Sequence, residues 1–261
     1  MKQNWTFALP PAVGDEEERA GQVRSALAAI GCRTVRTALT YGTLMDDLVS
    51  GHLDAAWAPP LVCARMETLG SRILLRAVRG GAATYRSVMF GRAEKGITLE
   101  TLDGKQAAWL DQRSMSGYVL PRALLRKMGK DPDAVFNRQK FLGSFAACVQ
   151  AVLDGKVDIS STFATSASCA VQRYGFTDLA GPRVSELAVV GYSDECPNDG
   201  ILVSPRMPQE LAAQFADAFQ RVLNDFPAAT SLATALEVDG FEVPPQNSYQ
   251  LLREEVLASP P

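Results

Sequence analysis

The stretch Leu48-Val49-Ser50-Gly51-His52-Leu53-Asp54-Ala55-Ala56 has a counterpart in the second half of the chain, Val152-Leu153-Asp154-Gly155-Lys156-Val157-Asp158-Ile159-Ser160. Both read as a helix end, a glycine that stops it, one polar residue, an aliphatic residue, an aspartate and then a strand. Helix–glycine–strand turns are common, but the same order of residue types in both halves predicts two similar α/β lobes. Outward from the first copy, Trp5 to Leu9 reads as a strand closed by Pro10-Pro11. Asp15 with Glu16, Glu17 and Glu18 opens an acidic helix whose apolar stripe is Ala20, Val23, Leu27 and Ile30, with Gly31 ending it. A strand from Val35 to Leu39, a helix carrying Leu44 and Leu48, a small-residue strand from Asp54 to Ala58, a helix to Leu69 and a strand from Ile73 to Val78 follow. This alternation predicts a mostly parallel sheet with helices on both faces.

Gly80-Gly81 marks a break, and Tyr85 to Phe90 alternates as a strand does. Gln106-Ala107-Ala108-Trp109-Leu110 is a short buried strand that runs into Asp111-Gln112-Arg113-Ser114-Met115-Ser116-Gly117-Tyr118. Leu120, Ala123, Leu124 and Met128 then fall at helical spacing up to Gly129. Two serines and a glycine thus open a helix. Its first amides have no partner inside the helix and its dipole makes that end partly positive, so a small oxyanion fits there. The alternative is that Ser114 or Ser116 only caps the helix. Pro121 has no N–H and must distort the helix early. Beyond it the pattern predicts a helix from Ser144 through Leu153, a strand from Val157 to Thr162 and a helix over 166–173. Strands at Leu187–Tyr192 and Gly200–Val203 follow. A helix from Pro208 to Asp225 then carries Leu211, Phe215, Phe219 and Val222, and two shorter helices end the chain.

Composition excludes several classes. In 261 residues, 47% are hydrophobic and the net charge is −3, with no basic cluster to attract nucleic acid. No apolar run is long enough to span a bilayer. The five cysteines are scattered through apolar surroundings, which predicts buried thiols and not a disulfide framework. The single histidine, His52, follows Gly51 at a helix end, so neither a zinc site of the usual spacing nor a histidine-based triad is expected, and no cofactor is called for.

Asp111-Gln112-Arg113-Ser114-Met115-Ser116-Gly117-Tyr118-Val119-Leu120-Pro121 resembles the serine-rich signature of phosphate/phosphite/phosphonate-binding proteins of ABC importers. Phe141-Leu142-Gly143-Ser144, then Val149-Gln150-Ala151-Val152-Leu153-Asp154-Gly155-Lys156-Val157-Asp158, and Pro197-Asn198-Asp199 continue the likeness. The resemblance implies a two-lobed type 2 periplasmic-binding fold. Each lobe would be a mostly parallel sheet flanked by helices. One lobe takes 1–84 plus 188–261 and the other 85–187, joined by crossover strands near Tyr85 and Leu187–Tyr192. It further implies that Ser114, Ser116 and the amides of Met115 and Gly117 hold an oxyanion in an interlobe cleft. Tyr41 and Tyr85 would line the site, and Asp199 would face a ligand's ammonium or hydroxyl group. Without the resemblance, Tyr41 is equally a packing residue, Tyr85 an ordinary strand aromatic and Asp199 a turn residue. Where the family places a histidine after Gly143-Ser144, this chain has Phe145, which offers no donor and leaves less room. The function implied is capture of a small anion by a monomer that presents it to an inner-membrane ABC permease, with no nucleic-acid partner. No signal peptide is evident in the opening residues. The location is therefore periplasmic if these begin the mature chain and cytoplasmic if Met1 is the start. A cytosolic sensor of the same fold, and an enzyme on a two-lobed scaffold using Asp111 or Asp199, are the competing readings.

Overall fold

The computed structural model describes residues 4–11 and 16–252. Asp15, expected to open the first helix, lies outside them. In chain order the strands are β1 Trp5–Leu9, β2 Cys32–Thr37, β3 Ala55–Ala58, β4 Arg72–Val78, β5 Thr84–Arg92, β6 Gln106–Trp109, β7 Arg138–Phe141, β8 Ile159–Thr165, β9 Leu187–Tyr192, β10 Cys196–Pro197, β11 Gly200–Val203 and β12 Gly240–Glu242. The α-helices are α1 Glu16–Leu27, α2 Tyr41–Ser50, α3 Pro60–Thr68, α4 Leu120–Lys127, α5 Phe145–Leu153, α6 Gly175–Ala180, α7 Gln209–Asn224 and α8 Phe226–Leu236. They form two compact units. The first holds the chain up to Ala83 and again from Pro197, and the second holds Thr84–Cys196. The return to the first unit thus falls after β9, because β9 pairs antiparallel along β5 and belongs to the second sheet.

The first unit has a sheet in the order β12-β4-β11-β3-β1-β2. Pairing is parallel across β2-β1-β3 and antiparallel where β11 lies between β3 and β4. Its core includes Trp5 edge-on to Phe215 at 5.1 Å and Trp57 edge-on to Phe241 at 6.1 Å. Phe215 and Phe219 come from the apolar stripe of α7 that the spacing predicted. In the second unit β8-β6-β7 pair parallel, while β5 runs antiparallel to both β8 and β9. One face of this sheet packs Val88, Phe90 and Ala108 against α5 and α6. The other packs Met89, Trp109 and Ile159 against Leu125 of α4. The two expected sheets are therefore mixed, parallel only where a helix crosses between neighbours.

The internal echo is a structural repeat. Gly51 and Gly155 both stop a helix with positive φ, 81° and 67°, and donate back to Leu48 and Val152. Asp54 and Asp158 then stand just before β3 and β8. The N–H of Asp54 donates to the Thr6 carbonyl, and that of Asp158 to the Gln106 carbonyl. In return, each carboxylate accepts the N–H of that same residue at 2.9 Å. One aspartate thus clips two adjacent parallel strands at their N-terminal ends, once in each unit.

Some expectations moved. Residues 166–173 are turns and not a helix. Gln172 Nε2 donates to the carbonyls of Ser166 and Cys169, and Glu195 Oε1 accepts the Ala167 N–H, which satisfies this backbone without helical bonds. Leu120 and Leu125 are the buried leucines of α4, whereas Met128, just past its end, is 37% exposed. Cys32, Cys63, Cys148 and Cys196 are buried thiols and Cys169 is half-buried. Burial, with the Asp54 carboxylate adding to it, pushes the Cys32 thiol up to about 12.

Burial alone would raise the Asp158 carboxyl, but the Lys95 ammonium and the Gln106 N–H hold it below its usual value. A carboxyl depressed on folding stabilises the fold above its unfolded pKa, and that contribution is lost as pH falls through the folded value. Asp158→Ala should cost about 1–3 kcal/mol at neutral pH, because the Gln106 N–H loses its acceptor. Urea unfolding at neutral and acid pH should show the gap between wild type and variant closing on the acid side. A gap that stays constant down to about pH 3 would contradict the clip.

Candidate functional site

The serine turn is held by its own backbone, by a neighbouring strand and by a ring cluster. Leaving β6, Asp111 makes an Asx turn, its Oδ1 accepting the Arg113 N–H at 2.6 Å. Ser114 is extended (φ −71°, ψ 117°) and caps a single π-helical turn, Met115–Val119, which runs directly into α4. Ser114 Oγ accepts the Gly117 N–H at 3.1 Å. The wide turn brings the Val119 N–H to the Ser114 carbonyl and the Leu120 N–H to the Met115 carbonyl. The next carbonyl in that ladder is Ser116, and its donor would be Pro121, which has no N–H. Ser87 takes that place: its hydroxyl, buried on β5, donates to the Ser116 carbonyl at 2.6 Å. The distortion expected from Pro121 is therefore a π turn with a side chain from another strand completing it.

Tyr118 fixes the rotation of the turn. Its ring is edge-on to Trp109 at 5.9 Å and to Phe141 at 5.2 Å, and the Arg122 guanidinium sits 4.9 Å from its centroid. Arg122 is also paired with Asp133, whose carboxyl it holds below the usual range.

The end of β7 lies beside the end of β6, since the Leu142 N–H donates to the Trp109 carbonyl and the Gly143 N–H to the Leu110 carbonyl. Gly143, at φ 75°, turns the chain into Ser144, whose Oγ caps α5 by accepting the Ala147 N–H at 3.1 Å. Two helical N-termini, at Met115 and Phe145, therefore start together at the carboxyl ends of adjacent parallel strands, where open α/β sheets bind ligands. The half-buried Phe145 ring reaches the turn: a Cβ at Gly117 would meet Phe145 Cε1 at 3.1 Å, Leu110 Cβ at 2.9 Å and Ser114 Oγ at 2.7 Å. Gly117 is there because no side chain fits.

The second unit thus brings together Ser114, Met115, Ser116, Gly117 and Phe145. Tyr85 lies in β5 two residues before Ser87, so both share the sheet face that carries the turn. The sequence-based role of the Gly117 amide needs correcting, because that N–H already donates to Ser114 Oγ and the residue supplies room instead. Ser114 is a cap, as one reading held, and its own hydroxyl hydrogen is still available to donate. Arg113 is exposed. Tyr41 and Asp199 belong to the first unit. Tyr41 is the first residue of α2, behind a capping box of Thr40 and Thr43. Asp199 is ion-paired with Arg79 at 2.7 Å, so its carboxylate already has a cation. Ser87 and the contact between the two strand ends escaped the sequence reading. The one trace of Ser87 there is a small polar residue among apolar ones, in register with Tyr85. Among the described residues no group of three or more His, Cys, Asp or Glu could hold a metal, and no helix is long and apolar enough to cross a membrane.

Solved structures share this fold. A Xanthomonas citri protein bound to ATP is 18% identical, with 98% of this chain and 96% of that chain covered and a TM-score of 0.75. PhnD1 of Prochlorococcus marinus, in complex with methylphosphonate, is 14% identical over 98% of each chain, with a TM-score of 0.65. A binding protein component of an ABC phosphonate transporter from Pseudomonas aeruginosa is 17% identical over 99% of this chain and 87% of that chain, at 0.62. The fold is that of the type 2 periplasmic binding proteins. Residues 30–249 match the family described as ABC transporter, phosphonate, periplasmic substrate-binding protein, and the chain belongs to that family. It is a solute-binding protein for small oxyanions, and membership implies a membrane permease as its partner.

Ser87→Ala should leave the Ser116 carbonyl buried with no donor and destabilise the protein by about 1–3 kcal/mol. Thermal unfolding beside the wild type measures this. An unchanged midpoint would mean that the turn does not depend on the strand.

Proposed function

We propose that the serine turn of the second unit is the oxyanion site, with the hydroxyls of Ser114 and Ser116 and the amides of Met115 and Ser116 as its donors. The observation that carries this is the π-helical turn: its first amides have no acceptor within it, and the Ser87 bond to the Ser116 carbonyl holds them in place. Burying an anion requires several hydrogen bonds at once, and those to a charged acceptor are roughly twice as strong as neutral ones. The adjacent N-terminus of α5 adds positive potential at the same place.

Phe145 sets the ligand's other end. Its ring stands against Gly117 where a histidine would have added a donor, so it favours an oxyanion with an apolar substituent, such as an alkylphosphonate, over inorganic phosphate. Tyr85 is the second wall. Tyr41 and Asp199 remain in the ligand set on the family resemblance alone, and the Arg79 pairing of Asp199 argues against a free ammonium contact. The ligand is bound and released unchanged. The protein acts in the periplasm as a monomer, delivering its ligand to an inner-membrane ABC permease, and it uses neither cofactor nor nucleic acid.

A thermal-shift screen over methylphosphonate, longer alkylphosphonates, aminophosphonates, phosphite, phosphate, sulfonates and small carboxylates tests the assignment. A ligand at about 100 times its Kd stabilises the fold by about 2.7 kcal/mol, a shift of several degrees. Ser116→Asp should abolish that shift by placing a fixed negative charge among the donors, and full retention of affinity would overturn the anion site. Phe145→His should improve binding of phosphate and of the more polar phosphonates. Calorimetry that finds no gain for any of them would remove Phe145 from the pocket.

A further inference from the structure

Both main-chain groups of Ser87 are bonded to one residue, Ser193. β5 and β9 run antiparallel, and their register ends with Val88 opposite Tyr192, where β9 stops. The next residue on each strand falls where an antiparallel ladder exchanges two main-chain bonds. One of the two is ordinary, the Ser193 N–H donating to the Ser87 carbonyl at 3.0 Å. In the other a side chain replaces the main chain: Ser193 Oγ stands in for the carbonyl and accepts the Ser87 N–H at 2.9 Å. The Ser193 hydroxyl hydrogen goes onward to the Asp194 carbonyl at 2.8 Å, which leaves the oxygen's lone pairs for Ser87. Both serines are buried.

The hydroxyl of Ser87 is the donor that takes the place of the Pro121 amide at the Ser116 carbonyl, at 2.6 Å. Its reach depends on where the Ser87 main chain lies, and on the β9 side Ser193 alone fixes that. We propose that Ser193 is a positioning residue for the oxyanion site. It holds the Ser87 main chain, and through the Ser87 hydroxyl it sets the place of the Met115 and Ser116 amides. The inference rests on reading the serine turn as that site. Ser193 comes 106 residues after Ser87, in the segment that follows β9, so the chain on its way out of the second unit helps to build the site. Ser193→Ala would leave the buried Ser87 N–H without its acceptor, and the strand would move to find another.

A double-mutant cycle on the whole protein tests this, read as the Kd for methylphosphonate by calorimetry at room temperature. Ser193→Ala should weaken binding by about 3–10-fold, the range of one hydrogen bond. Ser87→Ala should weaken it at least as much. The double variant should be no weaker than Ser87→Ala, because Ser193 acts only through that hydroxyl. A merely structural Ser193 would lower the unfolding midpoint and leave Kd unchanged, and that result would overturn the proposal, as would additive losses in the double variant. Should Ser193→Ala fail to fold, amide hydrogen exchange in the wild type decides. The N–H groups of Ser87, Val119 and Leu120 should open together as one unit, and independent opening of Ser87 would overturn the proposal. A wild type that binds no methylphosphonate, or a Ser116→Asp variant that binds it fully, counts against the oxyanion reading instead, and the exchange measurement then tests the link from Ser193 to the turn without any ligand.

Discussion

The structure depends most on a hydrogen that is missing. Pro121 has no N–H for the Ser116 carbonyl, and that one vacancy in the ladder ties the serine turn to a strand. Ser87 fills it from β5, at 2.6 Å and away from water. A residue with an amide at position 121 would satisfy Ser116 locally and release the turn from the sheet. The proline that looks like a flaw in the helix is thus the reason that the turn has a fixed place, and the first amides stay directed outward because the carbonyls behind them are all engaged.

Fixing a turn on one side is not enough to orient it. Tyr118 supplies the second restraint, wedged between Trp109 and Phe141 with Arg122 over its face, and Gly117 the third, packed against Leu110 and Phe145. Tyr118 and Gly117 are neighbours in the signature, and they face a core and a crowded contact respectively. Phe145 packs the start of α5 against that of the serine turn, because its ring occupies the space beside Gly117.

The same economy of means appears at the aspartates of the two halves. Asp54 and Asp158 each bridge the start of one strand to the start of its parallel neighbour, reached through a left-handed glycine after a helix. Parallel strands have no hairpin to fix their register, so a side chain that takes an N–H near the start of the neighbouring strand sets it instead. The repeated segment is therefore a register device, built in each unit from a left-handed glycine and an aspartate three residues later.

Read alone, the sequence determined what depends on local pattern. Glycine-stopped helices, apolar stripes, the two-unit plan and the serine-opened helix are all written in residues close to one another along the chain. Local pattern failed where satisfaction came from afar. Residues 166–173 have helical composition, yet Gln172 and Glu195 hold them as turns. β7 is polar and half-exposed and carries no strand signal. Asp199 reads as a free carboxylate until Arg79 is found beside it. The donor to Ser116 lies 29 residues upstream in β5, and no spacing rule connects the two. Tertiary structure alone decided which backbone groups are engaged and which are not, because a hydrogen bond is a property of distance in space, and the sheet that holds β5, β8, β6 and β7 is what brings these groups within reach.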